Sequence, residues 1–326
     1  MNKITLIYND DTYLPFCLPW IKSEVSEYIN IEKYDADKSY STHDTICYVS
    51  YLSAHNLPDW TKIMINRGHR IIIDHLWDSD VDTKSGVTDM TMTLRNPNWL
   101  WYYSCIDWRS IGYEQYHPQL QWQHAFFMPM HRQEWHRDRI ITSLSCVLGD
   151  ALYSYVHQGK TLPGDITTGT LQNWRSYFNP EWYNTSCFSV VAESYMRTSA
   201  WVANVDNYKT EVSEKLFKPM VGYHPFIVFG SADTLSYLHR EGFESFENLF
   251  DERYDNVLDD TDRHNAVTTV VMDAVAEYKK NTNKNQRSDI TKEKLKHNHA
   301  RFFDISLVRR RLQDEIIADI LEFAEQ

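Results

Sequence analysis

Short runs of β-forming apolar residues, set apart by longer mixed segments, organise this chain. Ile4-Thr5-Leu6-Ile7-Tyr8 stops at Asn9-Asp10-Asp11, Thr45-Ile46-Cys47-Tyr48-Val49 is a second run, and Arg70-Ile71-Ile72-Ile73-Asp74 a third. The third does not alternate, which suits a strand covered on both faces. Residues 57–68 between the last two read as a helix closed by Gly68. Ala125–Pro129, Phe188–Glu193 and Pro225–Phe229 repeat the strand pattern further on, and residues 140–148 read as an amphipathic helix. Strands alternating with helices at this spacing predict parallel βαβ units. Residues 157–186, rich in Gly, Pro, Ser, Thr and Asn, read as a long excursion, and residues 280–300 as a polar, locally basic loop running into a short helix. Apolar residues at 305, 308, 312, 316, 320 and 323 keep helical spacing and predict a terminal amphipathic helix docked on the body. The expected architecture is α/β: two Rossmann-like domains facing each other, residues 1–120 and 121–326, with the terminal helix bracing them.

Composition sharpens this little. The chain has 326 residues, 42% apolar and 24% charged, as in folded proteins. Aromatics reach 14%, enough to supply both cores and stacking platforms for sugars or bases. No run of about 18 apolar residues occurs, so no membrane span is expected. The five cysteines are scattered and form no C-x-x-C pair, which argues against a disulfide framework or zinc ribbon and suits a cytoplasmic setting. The net charge of −12 opposes broad nucleic-acid binding while leaving room for a local basic edge.

Four constellations could carry chemistry. The stretch 130–139, MHRQEWHRDR, follows a strand and opens a helix, so its amides, with Arg132, Arg137 and the neighbouring His131, could hold a phosphate; a solvated charged helix face is the alternative. Ser213-Glu214-Lys215, with Lys218 one turn on, puts a carboxylate and two amines at a helix start. Glu214 could accept from ribose hydroxyls and the lysines could neutralise a diphosphate, or the group is an ordinary capped helix. Asp74, at a strand's carboxyl end and followed shortly by Asp78, could serve as a general base or merely cap a turn. Glu193, ending another buried strand, could also carry chemistry, or serve as a cap or salt-bridge partner. Asp78-Ser79-Asp80 matches a D-x-D metal motif, but loosely, so no metal is expected. No G-x-G-x-x-G follows a strand and no G-x-x-x-x-G-K-[ST] exists, which excludes the usual dinucleotide and P-loop sites.

The segments NPNWLWYYSCIDWRSIGYEQY, HAFFMPMHRQEWHRDRI, GKTLPGDI, FNPEWYNTSCFSVVAES and the block 212–255 resemble a family of phage and marine-bacterial proteins over residues 95–275. More distantly, the strand, Arg-rich turn and Ser-Glu-Lys step are similar to the donor-binding half of fucosyltransferases with a GT-B fold. That resemblance implies a metal-independent glycosyltransferase that uses a nucleotide sugar as co-substrate and no other cofactor. Arg132 or Arg137 would hold phosphate, Glu214 the ribose, Lys215 or Lys218 the diphosphate, and Glu193 would lie at the sugar. Where that family has Asn-Arg before the helix, this chain has His131-Arg132. Asp74 is the expected base for the acceptor. A phage relationship makes a hydroxymethylated pyrimidine in DNA the candidate acceptor, with lysines and arginines of 279–311 as a basic strip, joined by Arg67 and Arg70, and Trp101, Tyr102 or Trp108 exposed to hold an extruded base. A cell-surface or virion glycan is the alternative acceptor, and a nucleotide- or glycan-binding module without turnover the alternative class.

Overall fold

A computed structural model describes residues 4–8, 29–41, 45–50, 59–74, 91–94, 99–130, 133–162, 178–193, 212–281 and 286–325. It is a mixed α/β protein whose chain divides into two compact units, residues 1–103 with 305–326, and residues 104–304. The division falls at 103/104 rather than 120/121, and the C-terminal segment groups with the first unit instead of the second.

The first unit holds a parallel five-stranded sheet, β1 (Ile4–Tyr8), β2 (Ile29–Lys33), β3 (Thr45–Ser50), β4 (Arg70–Asp74) and β5 (Thr91–Leu94), in the order β2-β1-β3-β4-β5. Helix α1 (Asp59–Asn66) crosses between β3 and β4. Its Trp60 and Met64 bury against Ile7, Cys47 and Ile71, and such burial contributes about 1.5–3 kcal/mol per large apolar side chain. Gly68 turns the chain into β4 with φ +86, a conformation that favours glycine. The boundary between the units lies within α2 (Trp99–Ser110).

The second unit holds β6 (His124–Met130), β7 (Ala151–Tyr155), β8 (Ser186–Ala192) and β9 (Phe226–Phe229), all parallel, in the order β7-β6-β8-β9. β6 and β8 are central, and most of their residues are buried, which explains their unbroken apolar sequences. Their pairing runs from His124↔Ser186 to Phe127↔Ser189. Pro129 follows, and a proline has no N–H for a ladder, so the carboxyl end of β6 pairs onward only with β7. After β6 the chain turns to β7 on one side and then returns to β8 on the other. A change of direction of this kind leaves a crevice at the strands' carboxyl ends.

The described helices of the second unit follow in chain order. α3 (Trp135–Ser143) starts before the expected span 140–148, because the polar stretch from Trp135 is itself its first turns, and a 3-10 turn at Leu148–Asp150 follows instead of further helix. α4 (Pro180–Thr185) breaks the expected excursion; Asn179 caps it by accepting from the N–H of Glu181, with Pro180 at the first position. α5 (Glu214–Val221), α6 (Thr234–Arg240) and the long α7 (Asp260–Lys280) come next. α8 (Asp289–Phe302) is a full 14-residue helix rather than a short one. Ser288 caps it, and exposed Asp289–Lys292 and Glu293–Lys296 pairs line its outer face.

The C-terminal segment is α9 (Ile305–Leu312) and α10 (Ala318–Glu325), joined by a π-helical turn, Gln313–Ile317. The wider turn moves the buried stripe from Leu312 to Ile317, and Ile320 and Phe323 continue it. Within the first unit this segment is tied by Arg70, whose Nη1 donates to the Phe323 carbonyl at 2.6 Å. Tyr102 also donates to Glu315 at 2.7 Å, and Arg311 lies 5.7 Å from the Trp101 ring centroid.

Candidate functional site

The crevice between the carboxyl ends of β6 and β8 gathers most of the described candidate residues. Glu193 follows β8, and its N–H donates to the Phe229 carbonyl at 2.9 Å, extending the β8–β9 ladder by one residue. α3 enters from the β6 side. His136 donates from Nε2 to the Glu193 carbonyl at 2.9 Å, and Arg137 donates to the same oxygen at 3.3 Å. α5 arrives from the other side with Ser213 as its N-cap: the Ser213 hydroxyl oxygen accepts from the N–H of Lys215 at 3.3 Å. The Glu193 carboxylate accepts from the Ser213 N–H at 3.1 Å and from the Ser213 hydroxyl. Lys215 Nζ lies 3.2 Å from both Ser213 Oγ and Glu214 Oε1. One strand end and two helix starts are thus bound into one polar knot.

The knot is enclosed. Glu193 and Glu214 are each 2% exposed and Arg137 is 4% exposed, while the Lys215 side chain keeps 22% of its surface. Burial pushes the Glu193 carboxyl above the ordinary carboxylate range, opposed by the Lys215 charge and the Ser213 donors. Burial also depresses His136 to about 4, helped by the Arg137 and Lys215 charges and opposed by its bond to the Glu193 carbonyl, so His136 is a neutral imidazole near pH 7. Arg137 is pulled down by desolvation and held up chiefly by Glu134, then by Glu193 and Glu214. Arg137 and Lys215 thus face Glu193 and Glu214 inside a low-dielectric site, with Lys215 the group nearest to solvent.

Arg137, Glu193, Glu214 and Lys215 are brought together, and Lys218 lies one turn along α5, half-buried. Asp138 and Arg139 of the same stretch turn elsewhere. Asp138 accepts from the Tyr155 hydroxyl at 2.7 Å, and Arg139 reaches α7 at Thr261 and Asn265. His131, Arg132, Asp78, Ser79 and Asp80 lie outside the described residues. Asp74 is the last residue of β4, at a strand's carboxyl end in the first unit, and only its backbone position is described.

The turn after β9 leads into α6, whose first amides are already taken. The carboxylate of Asp255, 4% exposed, already occupies the start of α6, accepting from the N–H groups of Leu235 (2.9 Å) and Ser236 (3.0 Å). Buried Arg263 locks the same turn, donating to the carbonyls of Gly230 (2.9 Å) and Val257 (2.8 Å) and pairing with Asp260. Neither Asp255 nor Arg263 is marked by any local motif, since each acts on a segment remote from it in the chain.

The DNA-binding expectation needs correction in two respects. Trp101 and Tyr102 are 0% exposed and Trp108 is 1% exposed; all three are core, so none is available to stack an extruded base. Among the described residues of 279–296, the lysines of the expected basic strip are paired: Lys279 with Asp150, Lys280 with Glu277, Lys292 with Asp289, Lys294 with Glu247 and Lys296 with Glu293, while Lys284 lies outside the described residues. Lys280, Lys292 and Lys296 pair with acidic neighbours one helical turn away, whereas Lys279 and Lys294 meet carboxylates remote in the chain.

Among the described residues, no group of three or more His, Cys, Asp or Glu side chains is arranged to hold a metal ion, and no helix is long and apolar enough to cross a membrane. No family model matches the chain, and comparison with curated proteins and with solved structures finds no match.

Proposed function

We propose that the protein transfers a sugar from a nucleotide-sugar donor to an acceptor hydroxyl, with the two α/β units arranged as facing Rossmann-like domains. The observation that carries this reading is the convergence of Arg137, Glu193, Glu214 and Lys215 at the crevice where the second sheet changes direction. In this role Lys215, with Arg137 behind it, would stabilise charge building on the leaving diphosphate without a metal. Glu214 would accept from the ribose, and Asp74 would deprotonate the acceptor. The core positions of Trp101, Tyr102 and Trp108 weigh against a modified DNA base as acceptor and favour a glycan.

A second reading, a nucleotide-binding module without turnover, draws support from the burial of both carboxylates. One experiment separates the two: thermal melting with a panel of nucleoside-diphosphate sugars, followed by an assay for nucleoside diphosphate release with glycan and hydroxymethylated-DNA acceptors. Transfer is expected to persist in chelator, and Lys215→Ala is expected to lower kcat/KM by about 10- to 100-fold, the loss of one charge-assisted contact. A melting shift without release selects the module. The absence of any shift across the panel removes both readings.

A further inference from the structure

At the opposite end of the second sheet, the strands' amino ends border a cavity of about 480 Å³. Phe188, Pro225, Leu249 and Phe250 form its apolar wall, with Trp122 beside them. From Cys187, which also lines it, to Glu193 is six residues of strand, about 20 Å at ~3.3 Å per residue, so this cavity is separate from the polar knot. Its volume lies within the usual range for small-molecule sites, about 300–1,000 Å³. Leu249 remains 45% exposed at its edge, an uncovered apolar surface.

The cavity contains one unusual charge. Arg287 is half-buried, stacked 5.3 Å from the Trp122 ring centroid, and donates to the carbonyls of Tyr223 (2.5 Å) and Cys187 (3.3 Å). These carbonyls orient the guanidinium but do not neutralise it, and among the described residues no carboxylate pairs with it. Its Nε–H is buried with no hydrogen-bond partner. Desolvation pulls its pKa down to about 10, and it is still a cation at neutral pH. Lys280 and Glu277, also at the cavity, pair with each other and cancel. The net charge of the lining is therefore about one positive unit. Ser288, the N-cap of α8, lines the cavity too, so the positive end of a 14-residue helix lies at the same place.

We propose that this cavity binds a small monocarboxylate with an aromatic or aliphatic body, its head group on Arg287 and its body against Phe188, Leu249 and Phe250. A carboxylate would pair with the Arg287 guanidinium through charge-assisted hydrogen bonds. The apolar walls suit a hydrocarbon body and leave a single charge to match, which disfavours a dianionic phosphate.

The test uses the full chain with 4-phenylbutyrate, its neutral amide and inorganic phosphate, followed by calorimetric titration. Saturable binding of the acid is expected, weakened about tenfold or more in the amide, which lacks the charge-assisted contact. Arg287→Met is expected to weaken the acid by a similar factor. Because that variant removes two structural hydrogen bonds, Ala274→Phe, which fills the cavity from α7, serves as the second variant and is expected to abolish binding while the melting temperature stays near that of the parent. Equal binding of acid and amide, unchanged binding in Ala274→Phe, preference for phosphate, or no saturable binding of the acid would each overturn the proposal.

Discussion

A Cβ added at Gly222 would lie 2.4 Å from Cδ1 and 2.7 Å from Cγ of Tyr183. That ring cannot yield, since it stacks on Phe178 and meets Phe127 and His224 edge-on. Gly222→Ala is therefore expected to lower unfolding free energy by about 1–3 kcal/mol in urea titration. Gly149→Ala, where nothing lies within 4 Å, is expected to stay within about 0.5 kcal/mol. His224 is wholly buried: its Nε2 donates to the Ser186 carbonyl at 2.6 Å, and its Nδ1 accepts from the Ser189 hydroxyl at 2.7 Å. Burial lowers its pKa to about 3 from 6.5. The folded state thus resists a proton that the unfolded chain accepts, so this contribution to stability is complete above pH 6.5 and declines as pH falls toward 3. The stability advantage of the parent over His224→Asn should shrink between pH 7 and pH 4 in parallel denaturant titrations; an advantage constant with pH would refute it. Nothing in the sequence marks His224 as buried, because Ser189 and Ser186, which it bonds in β8, lie 35 and 38 residues away.

At the scale of elements, legibility in the sequence follows burial. β1, β3, β4, β6 and β8, the interior strands of their sheets, carry the continuous apolar runs that identify them. β2, β5 and β7 are edge strands, INIEK, TMTL and ALYSY, and with less apolar surface to cover they give no such run. β9 is an edge strand too, yet every one of its residues is buried, and its FIVF sequence is legible for that reason. The start of α5 is also legible, since Ser213 is a cap by type and position. That Glu193 supplies the cap's second partner is not, because the contact spans 20 residues. Ser213→Ala removes the cap and leaves the buried Glu193 carboxylate short of a donor. The expected cost is about 2–4 kcal/mol, above the ~1 kcal/mol of an ordinary cap. A double-mutant cycle with Glu193→Gln should return a coupling of about 0.5–3 kcal/mol. Additive effects would show that the two residues act independently.

For the whole molecule, the division of the chain was the least legible feature. The apolar stripe from Ile305 to Phe323 predicts a docked helix, but the stripe alone does not name its dock. The choice depends on individual contacts, Arg70 to Phe323 and Tyr102 to Glu315, that join residues more than 200 positions apart. Deletion of residues 305–326 is therefore expected to increase amide exchange in β1–β5 while β6–β9 keep their protection, as read by hydrogen-exchange mass spectrometry. Uniform loss of protection across both sheets would contradict the assignment.

The placement of the C-terminal segment also bears on how the chain comes off the ribosome. Domains commonly complete their folding in order of synthesis, amino-terminal first, at about 5–20 residues per second. Here the first unit lacks α9 and α10 until residues 104–304 have been made, a delay of about 10–40 s at those rates. Throughout that interval the strands β1–β5 are present without the last helices of their own unit, while residues 104–304 already hold every segment of theirs. The second unit to be translated is the first able to finish. The nascent amino-terminal third is the stretch where a holding chaperone would have the longest opportunity to act.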